Sequence, residues 1–146
     1  MIVHLKKTDM RAKIPERATS GSAGFDLFAL LDNDLMIYPH QPVKIHTGIA
    51  LSMPHHQMVG LVYPRSGLAS KFGLIPSNCV GVIDSDYRGE IMVSLTNLSQ
   101  TAYCLKPFER IAQLVFTPVI LPELCETETL DDTERGAGGF GSTGQQ

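Results

Sequence analysis

Asp84, Ser85, Asp86, Tyr87 and Arg88 stand together in a polar stretch between two apolar runs. Two carboxylates, a phenol and a guanidinium so close together can accept a proton from a water and pack against a small ligand. Aspartates favour turns for backbone reasons alone, so it is the density of functional groups that marks this segment. A second group, Arg65-Ser66-Gly67, opens an expected helix. The free N–H groups of a helix start suit a phosphate, Arg65 adds charge, Ser66 a hydroxyl, and Gly67 lets an anion approach the backbone. The bland alternative is a helix cap with a surface arginine. A third group is Arg135-Gly136-Ala137-Gly138-Gly139-Phe140-Gly141-Ser142-Thr143-Gly144, with five glycines in ten residues. It lacks the Gly-Lys-Ser/Thr of a Walker A loop. It still offers N–H groups, Arg135 and the Ser142 and Thr143 hydroxyls to an anion, and Phe140 to a flat base. Read blandly, it is a solvated terminus. Asp26, inside an apolar strand pattern, and Arg110 and Gln113, beside another, are candidate supporting groups.

Short runs must position these residues. Nine prolines and thirteen glycines cut the apolar pattern into pieces. Such pieces between turn signals indicate an all-β sandwich or barrel. Strands are expected over 2–6, 24–29, 43–46, 49–52, 58–62, 80–83, 90–95, 102–105 and 111–116. The last also fits a helix by periodicity, but its length and the nearby Pro118 favour a buried strand. One helix is expected over 66–72, with Ser66 as N-cap and Gly73 just past its end. The run from Val80 through the Asp84 turn to Val93 predicts a β-hairpin.

Composition bounds the rest. The chain has 146 residues, 43% hydrophobic and 18% charged, which suits one globular domain. Its net charge of −3 speaks against general nucleic-acid binding. Six acids and no base lie in 123–134, an expected solvated acidic linker. Residues 1–122 keep 11 of the 12 basic and 9 of the 15 acidic residues, a net +2 that tolerates an anionic ligand. The expected organisation is therefore a barrel over 1–122, the linker over 123–134 and a mobile tail over 135–146. No apolar run is long enough to span a membrane. Three cysteines without CxxC spacing indicate free thiols and a cytoplasmic setting. His55-His56 has no second ligand pair at metal spacing.

Five segments, in order, resemble the motifs of the trimeric dUTPase family: Ala23–Ala29 (AGFDLFA), Pro64–Ala69 (PRSGLA), Gly81–Glu90 (GVIDSDYRGE), Arg110–Leu114 (RIAQL) and Arg135–Gly144 (RGAGGFGSTG). The resemblance covers essentially the whole chain. It implies a jelly-roll-like β-barrel that assembles as a homotrimer, with active sites between subunits and a glycine-rich tail closing each one. The implied reaction is hydrolysis of dUTP to dUMP and pyrophosphate, with Mg²⁺ held mainly by substrate phosphates and water.

Carried over by motif, Asp84 resembles the water-activating base, and Tyr87 the residue under the deoxyribose that excludes a 2′-hydroxyl. Asn78, the backbone at Val82 and Ile83, and nearby Met92 resemble the uracil readers. Arg65, Ser66, Gly67 and Gln113 resemble phosphate contacts, as do Arg135, Gly141, Ser142 and Thr143 in the tail. Phe140 resembles the aromatic that stacks on uracil, and Asp26 a supporting group that orients an arginine. The chain departs from the family pattern at Phe108-Glu109, where Gly-Asp is usual, and this alters the turn there. Phe25 and Phe28 replace tyrosines. Two other readings are a dCTP deaminase, which shares the general fold and acts on the base, and a non-enzymatic β-barrel interaction module. The turn at 84–88 and Phe140 favour dUTP hydrolysis.

Overall fold

The computed structural model describes residues 1–139. Eleven strands and one helix make up its regular structure: β1 (His4–Lys7), β2 (Phe25–Phe28), β3 (Leu35–Ile37), β4 (Val43–His46), β5 (Ile49–Ser52), β6 (Met58–Tyr63), α1 (Ser66–Phe72), β7 (Leu74–Pro76), β8 (Gly81–Ile83), β9 (Met92–Asn97), β10 (Tyr103–Leu105) and β11 (Arg110–Pro118). They form a jelly-roll-like β-barrel. A four-stranded sheet runs β2-β11-β6-β8 and a three-stranded sheet β4-β9-β7, with two-stranded pairs β1-β5 and β10-β3.

Period-two patterning explains the layers. In β9, Val93, Leu95 and Asn97 face the core, while Met92, Ser94 and Thr96 face out. In β11, Ile111, Ala112 and Leu114 are buried because the strand lies between β2 and β6. Leu27, Ile37, Ile45, Ile49, Leu74, Ile91, Leu95 and Leu105 complete a continuous core. Asn97, in a glycosylation-like Asn-Leu-Ser, is fully buried. Its amide nitrogen donates to Ile37 O at 3.0 Å and Thr101 O at 2.8 Å, and its Oδ1 accepts from Ser99 N at 2.9 Å. It is a structural staple.

Two expectations need correction. The helix is capped by Arg65, whose backbone is extended and which makes no side-chain cap bond; Ser66 is the first helical residue. At the other end Gly73, at φ 65°, closes the helix as expected. The run 80–93 is not a paired hairpin. β8 pairs with β6, and β9 pairs with β4 and β7, so the Asp84 turn crosses from one sheet to the other. Local turn chemistry suggests a hairpin, but β8 finds its partner in β6 and β9 its partners in β4 and β7. β3 and β7, three residues each, are not among the expected strands.

Candidate active site

β8 ends at Ile83, beside Gly60 of β6, and delivers Asp84 into a cleft of about 290 Å³. Lys44, Asn78, Val82, Ile83, Asp84, Tyr87, Glu90, Ile91, Met92 and Ser94 line it. The Asp84 turn is closed by Tyr87 N donating to Asp84 O at 3.2 Å. The Tyr87 hydroxyl donates to Glu90 O at 3.0 Å, laying the ring across the turn. Gly89 makes this possible, because a Cβ there would sit 2.3 Å from the Tyr87 hydroxyl. Gly81 is likewise constrained, its absent Cβ lying 3.3 Å from Val62 and 3.4 Å from Asn78. Asn78, Val82, Ile83, Asp84, Tyr87 and Met92 are thus brought together. Glu90, Lys44 and Ser94 share the cleft and escaped sequence reasoning, although the alternation of β9 already puts Ser94 on the face of Met92.

A second cleft, about 170 Å³, is lined by Ala18, Ser22, Gly24, Asp26, Arg65, Ser66, Gly67 and Gln113. Asp26 is its hub. Only 9% exposed, it accepts from Arg65 Nε at 2.9 Å on one oxygen and from the Arg110 guanidinium at 3.2 Å on the other. Charged partners on both oxygens offset the cost of burying the carboxylate. Asp26 therefore orients two arginines, and Arg110 joins Arg65 at the cleft's edge. Gln113 donates to Pro64 O at 2.9 Å, fixing the chain just before Arg65. Gly24 leaves room for it, since a Cβ there would lie 2.8 Å from Gln113 Oε1. Gly67 faces open space.

The two clefts share no residue. Asp84 follows the strand partner of Gly60, whereas Arg65 follows the other end of β6. Five residues at about 3.3 Å each separate Gly60 from Arg65 by roughly 15 Å, far more than the spacing of adjacent phosphorus atoms.

The family model for dUTPase matches residues 10–144. The chain belongs to the dUTPase family. It is 52% identical over 143 residues to the deoxyuridine 5′-triphosphate nucleotidohydrolase of Desulfitobacterium hafniense, covering 98% of this chain and 94% of that protein. The enzyme of the same name from Acinetobacter baumannii is 47% identical over 150 residues, with both chains fully covered. Among solved structures, the Staphylococcus bacteriophage 80alpha dUTPase with dUpNHpp superposes at a TM-score of 0.82, with 29% identity and 99% of each chain covered. A dUTPase mutant from phage phi11 of S. aureus, studied for its coordination of a structural Mg(II) ion, gives 0.80 at 25% identity, covering 90% of this chain and 100% of that one. These relatives set the deaminase and non-enzymatic readings aside.

Arg135, the first residue of the glycine-rich segment, lines neither cleft. Arg135 is exposed and its Nε donates to Gly138 O at 2.9 Å. Phe140, Gly141, Ser142 and Thr143 lie outside the described residues. At the departure from the family pattern, Phe108 takes the left-handed conformation glycine favours, φ 59°. Its N–H donates to Ala29 O at 2.8 Å, and Glu109 O accepts from Ala29 N at 2.8 Å, tying this turn to the end of β2. No helix among the described residues is long and apolar enough to cross a membrane.

Proposed function

We propose that the two clefts are halves of one active site, supplied by different copies of the chain in a homotrimer. The reaction is that of the family: dUTP is hydrolysed to dUMP and pyrophosphate, which limits uracil incorporation into DNA and supplies dUMP for thymidylate synthesis. The observation that carries the composite site is the separation of Asp84 from the Arg65 cleft along β6. In a single copy the two clefts lie apart, and pairing clefts from neighbouring copies would bring both to one triphosphate. The segment after β11 supports assembly. It leaves Ile120 88% and Leu124 93% exposed, and burying each such side chain against a neighbouring copy gains about 2 kcal/mol.

In this reading Asn78, the Val82–Ile83 backbone and Met92 receive uracil. Fixed backbone donors and acceptors match uracil and leave buried groups unpaired with cytosine. Tyr87 lies under the deoxyribose. Asp84 takes a proton from a water aligned behind the α-phosphorus, and pyrophosphate departs in line. Arg65, Ser66, Gly67 and Gln113 of another copy hold the phosphates, with Asp26 setting the arginine. No group of three or more His, Cys, Asp or Glu is placed to cage a metal among the described residues. In this reading a Mg²⁺ held mainly by the phosphate oxygens and water would neutralise charge on the triphosphate. Residues 135–146, joined to the 1–122 body by the acidic 123–134 linker, close over the site. Arg135, Ser142 and Thr143 then meet phosphates and Phe140 meets the base. The free thiols of Cys79, Cys104 and Cys125 fit a cytoplasmic setting.

Subunit mixing tests the composite site. Asp84→Asn and Arg65→Ala chains, each inactive alone, should regain pyrophosphate release from dUTP when unfolded and refolded together. Mixed trimers then contain sites with both residues intact. If co-refolded mixtures, verified as mixed by mass spectrometry, stay as inactive as their parents, the composite site is wrong.

A further inference from the structure

The turn that carries Asp84 and Tyr87 ends on a segment stitched to the β4–β5 connection. Gly48 N donates to Glu90 Oε1 at 2.7 Å, and His46 Nδ1 lies 2.9 Å from Glu90 Oε2. Beside these, Thr47 Oγ1 donates to Ile91 O at 2.5 Å and Ile91 N donates to Ile49 O at 2.8 Å. The connection itself is rigid. Gly48 is left-handed at φ 71°, and a Cβ there would lie 2.6 Å from Ala12 and 2.8 Å from Leu30. Thr47 is buried. The Glu90 side chain thus grips a fixed point, while its own carbonyl accepts the Tyr87 hydroxyl.

We propose that Glu90 is a specificity-determining positioning residue: by clasping Gly48 and His46, it holds the carbonyl on which Tyr87 rests and so fixes the ring that separates deoxyribose from ribose. This rests on the placement of Tyr87 under the sugar. Its logic is mechanical. A ring excludes one hydroxyl only if it cannot yield, and Tyr87 is an exposed residue of a sheet-to-sheet turn. Its backing comes from the Glu90 carbonyl; the Ile91 N–H of the same peptide unit is tied to Ile49 O, and the Glu90 side chain adds two further ties, to Gly48 and His46. The other charged groups around the clasp are Lys44 and Asp84 on the nucleoside side and Asp9, Arg11 and Asp32 on the outer side. Among them, Arg11 is engaged with Asp9 and Asp32, leaving His46 and Gly48 as the partners of Glu90.

The test compares kcat/KM for dUTP with that for UTP in the full-length enzyme. Glu90→Ala should lower the dUTP preference about tenfold, the size of one lost hydrogen bond, mainly through a higher kcat/KM for UTP. Glu90→Gln, which keeps an acceptor for Gly48 and a polar contact to His46, should restore most of it. Circular dichroism melts report folding separately. An unchanged preference in a folded Glu90→Ala enzyme, or an equal loss in Glu90→Gln, overturns the proposal. Tyr87→Ala is the control for the reading beneath it. If that variant keeps the wild-type preference, the placement of Tyr87 is wrong. If it loses the preference while Glu90→Ala does not, only the role of Glu90 falls.

Discussion

At the Ile83 end of β6, functional groups are aimed by backbone: Tyr87 leans on a carbonyl, Asp84 closes a turn through its own carbonyl, and glycines at 81 and 89 make room. At the Arg65 end they are aimed by charge, with one buried carboxylate gripping two guanidiniums. The difference matches what each half must do. Telling uracil and deoxyribose from close relatives requires a surface that does not adapt, and backbone groups adapt least. Holding a triphosphate requires concentrated positive charge, and Asp26 keeps that charge oriented while leaving a net positive site.

Breaking each half should therefore leave a different signature. The largest effect is expected at Asp84. Asp84→Asn removes the proton acceptor without changing shape, so kcat should fall by about a thousandfold, within the usual range for a general base. Titration calorimetry with dUpNHpp should show little loss of binding. Turnover near the wild-type rate would take Asp84 out of the reaction. Next in size is Asp26→Ala, which frees both arginines and leaves their charges uncompensated by each other's partner. The loss should be about 2 kcal/mol, since the contacts are charged hydrogen bonds but Arg110 is half exposed. Read as kinetics, it is a rise in KM of roughly ten- to thirtyfold, with dUTP preference over UTP intact. A change in sugar preference instead would mean that the halves are not independent.

The same contrast explains what the sequence made legible. The barrel class, the strands at 43–46 and 49–52, and the helix at 66–72 follow from local pattern, because alternation and a terminal glycine act within a few residues. Asp84, Tyr87, Arg65, Ser66 and Gly67 stand out by residue type, whereas Asn78, Val82, Ile83 and Met92 are legible only through the motif resemblance. What pattern could not supply was pairing. The 80–93 run looks like a hairpin because its turn residues are hairpin residues, yet its strands join different sheets. Arg110 is a supporting group, as its place beside an apolar strand suggests, but its partner Asp26 lies 84 positions away in sequence. The Glu90 clasp was hidden for the same reason, since its partners on the β4–β5 connection are more than forty residues distant.

Steric room at the glycines gives a smaller and sharper probe. In Gly89→Ala the new methyl collides with the Tyr87 hydroxyl, so the ring must swing away from Glu90 O. Sugar preference should drop by up to about tenfold, equivalent to one hydrogen bond, with phosphate affinity unchanged. Gly24→Ala should do the reverse by displacing Gln113, raising KM alike for dUTP and UTP. Identical kinetic signatures from the two alanines would erase the distinction between the halves.

The smallest expected effect tests whether the nucleoside half is as free of charge control as it looks. Burial alone would raise the Glu90 pKa, but the contact with His46 and the hydrogen bond from Gly48 outweigh it and hold the carboxyl below its ordinary value. A depressed folded-state pKa means that the ionised carboxylate stabilises the fold above the ordinary glutamate range. That contribution fades as pH falls through the folded-state value, when the unfolded chain already carries the proton. The difference in Tm between wild type and Glu90→Gln should therefore be full near neutral pH and shrink as the solution is acidified below the ordinary range. Thermal melts across that interval measure it directly. A gap that stays constant to low pH would mean that Glu90 contributes shape alone, and both ends of the β4–β5 clasp would then be governed by geometry rather than charge.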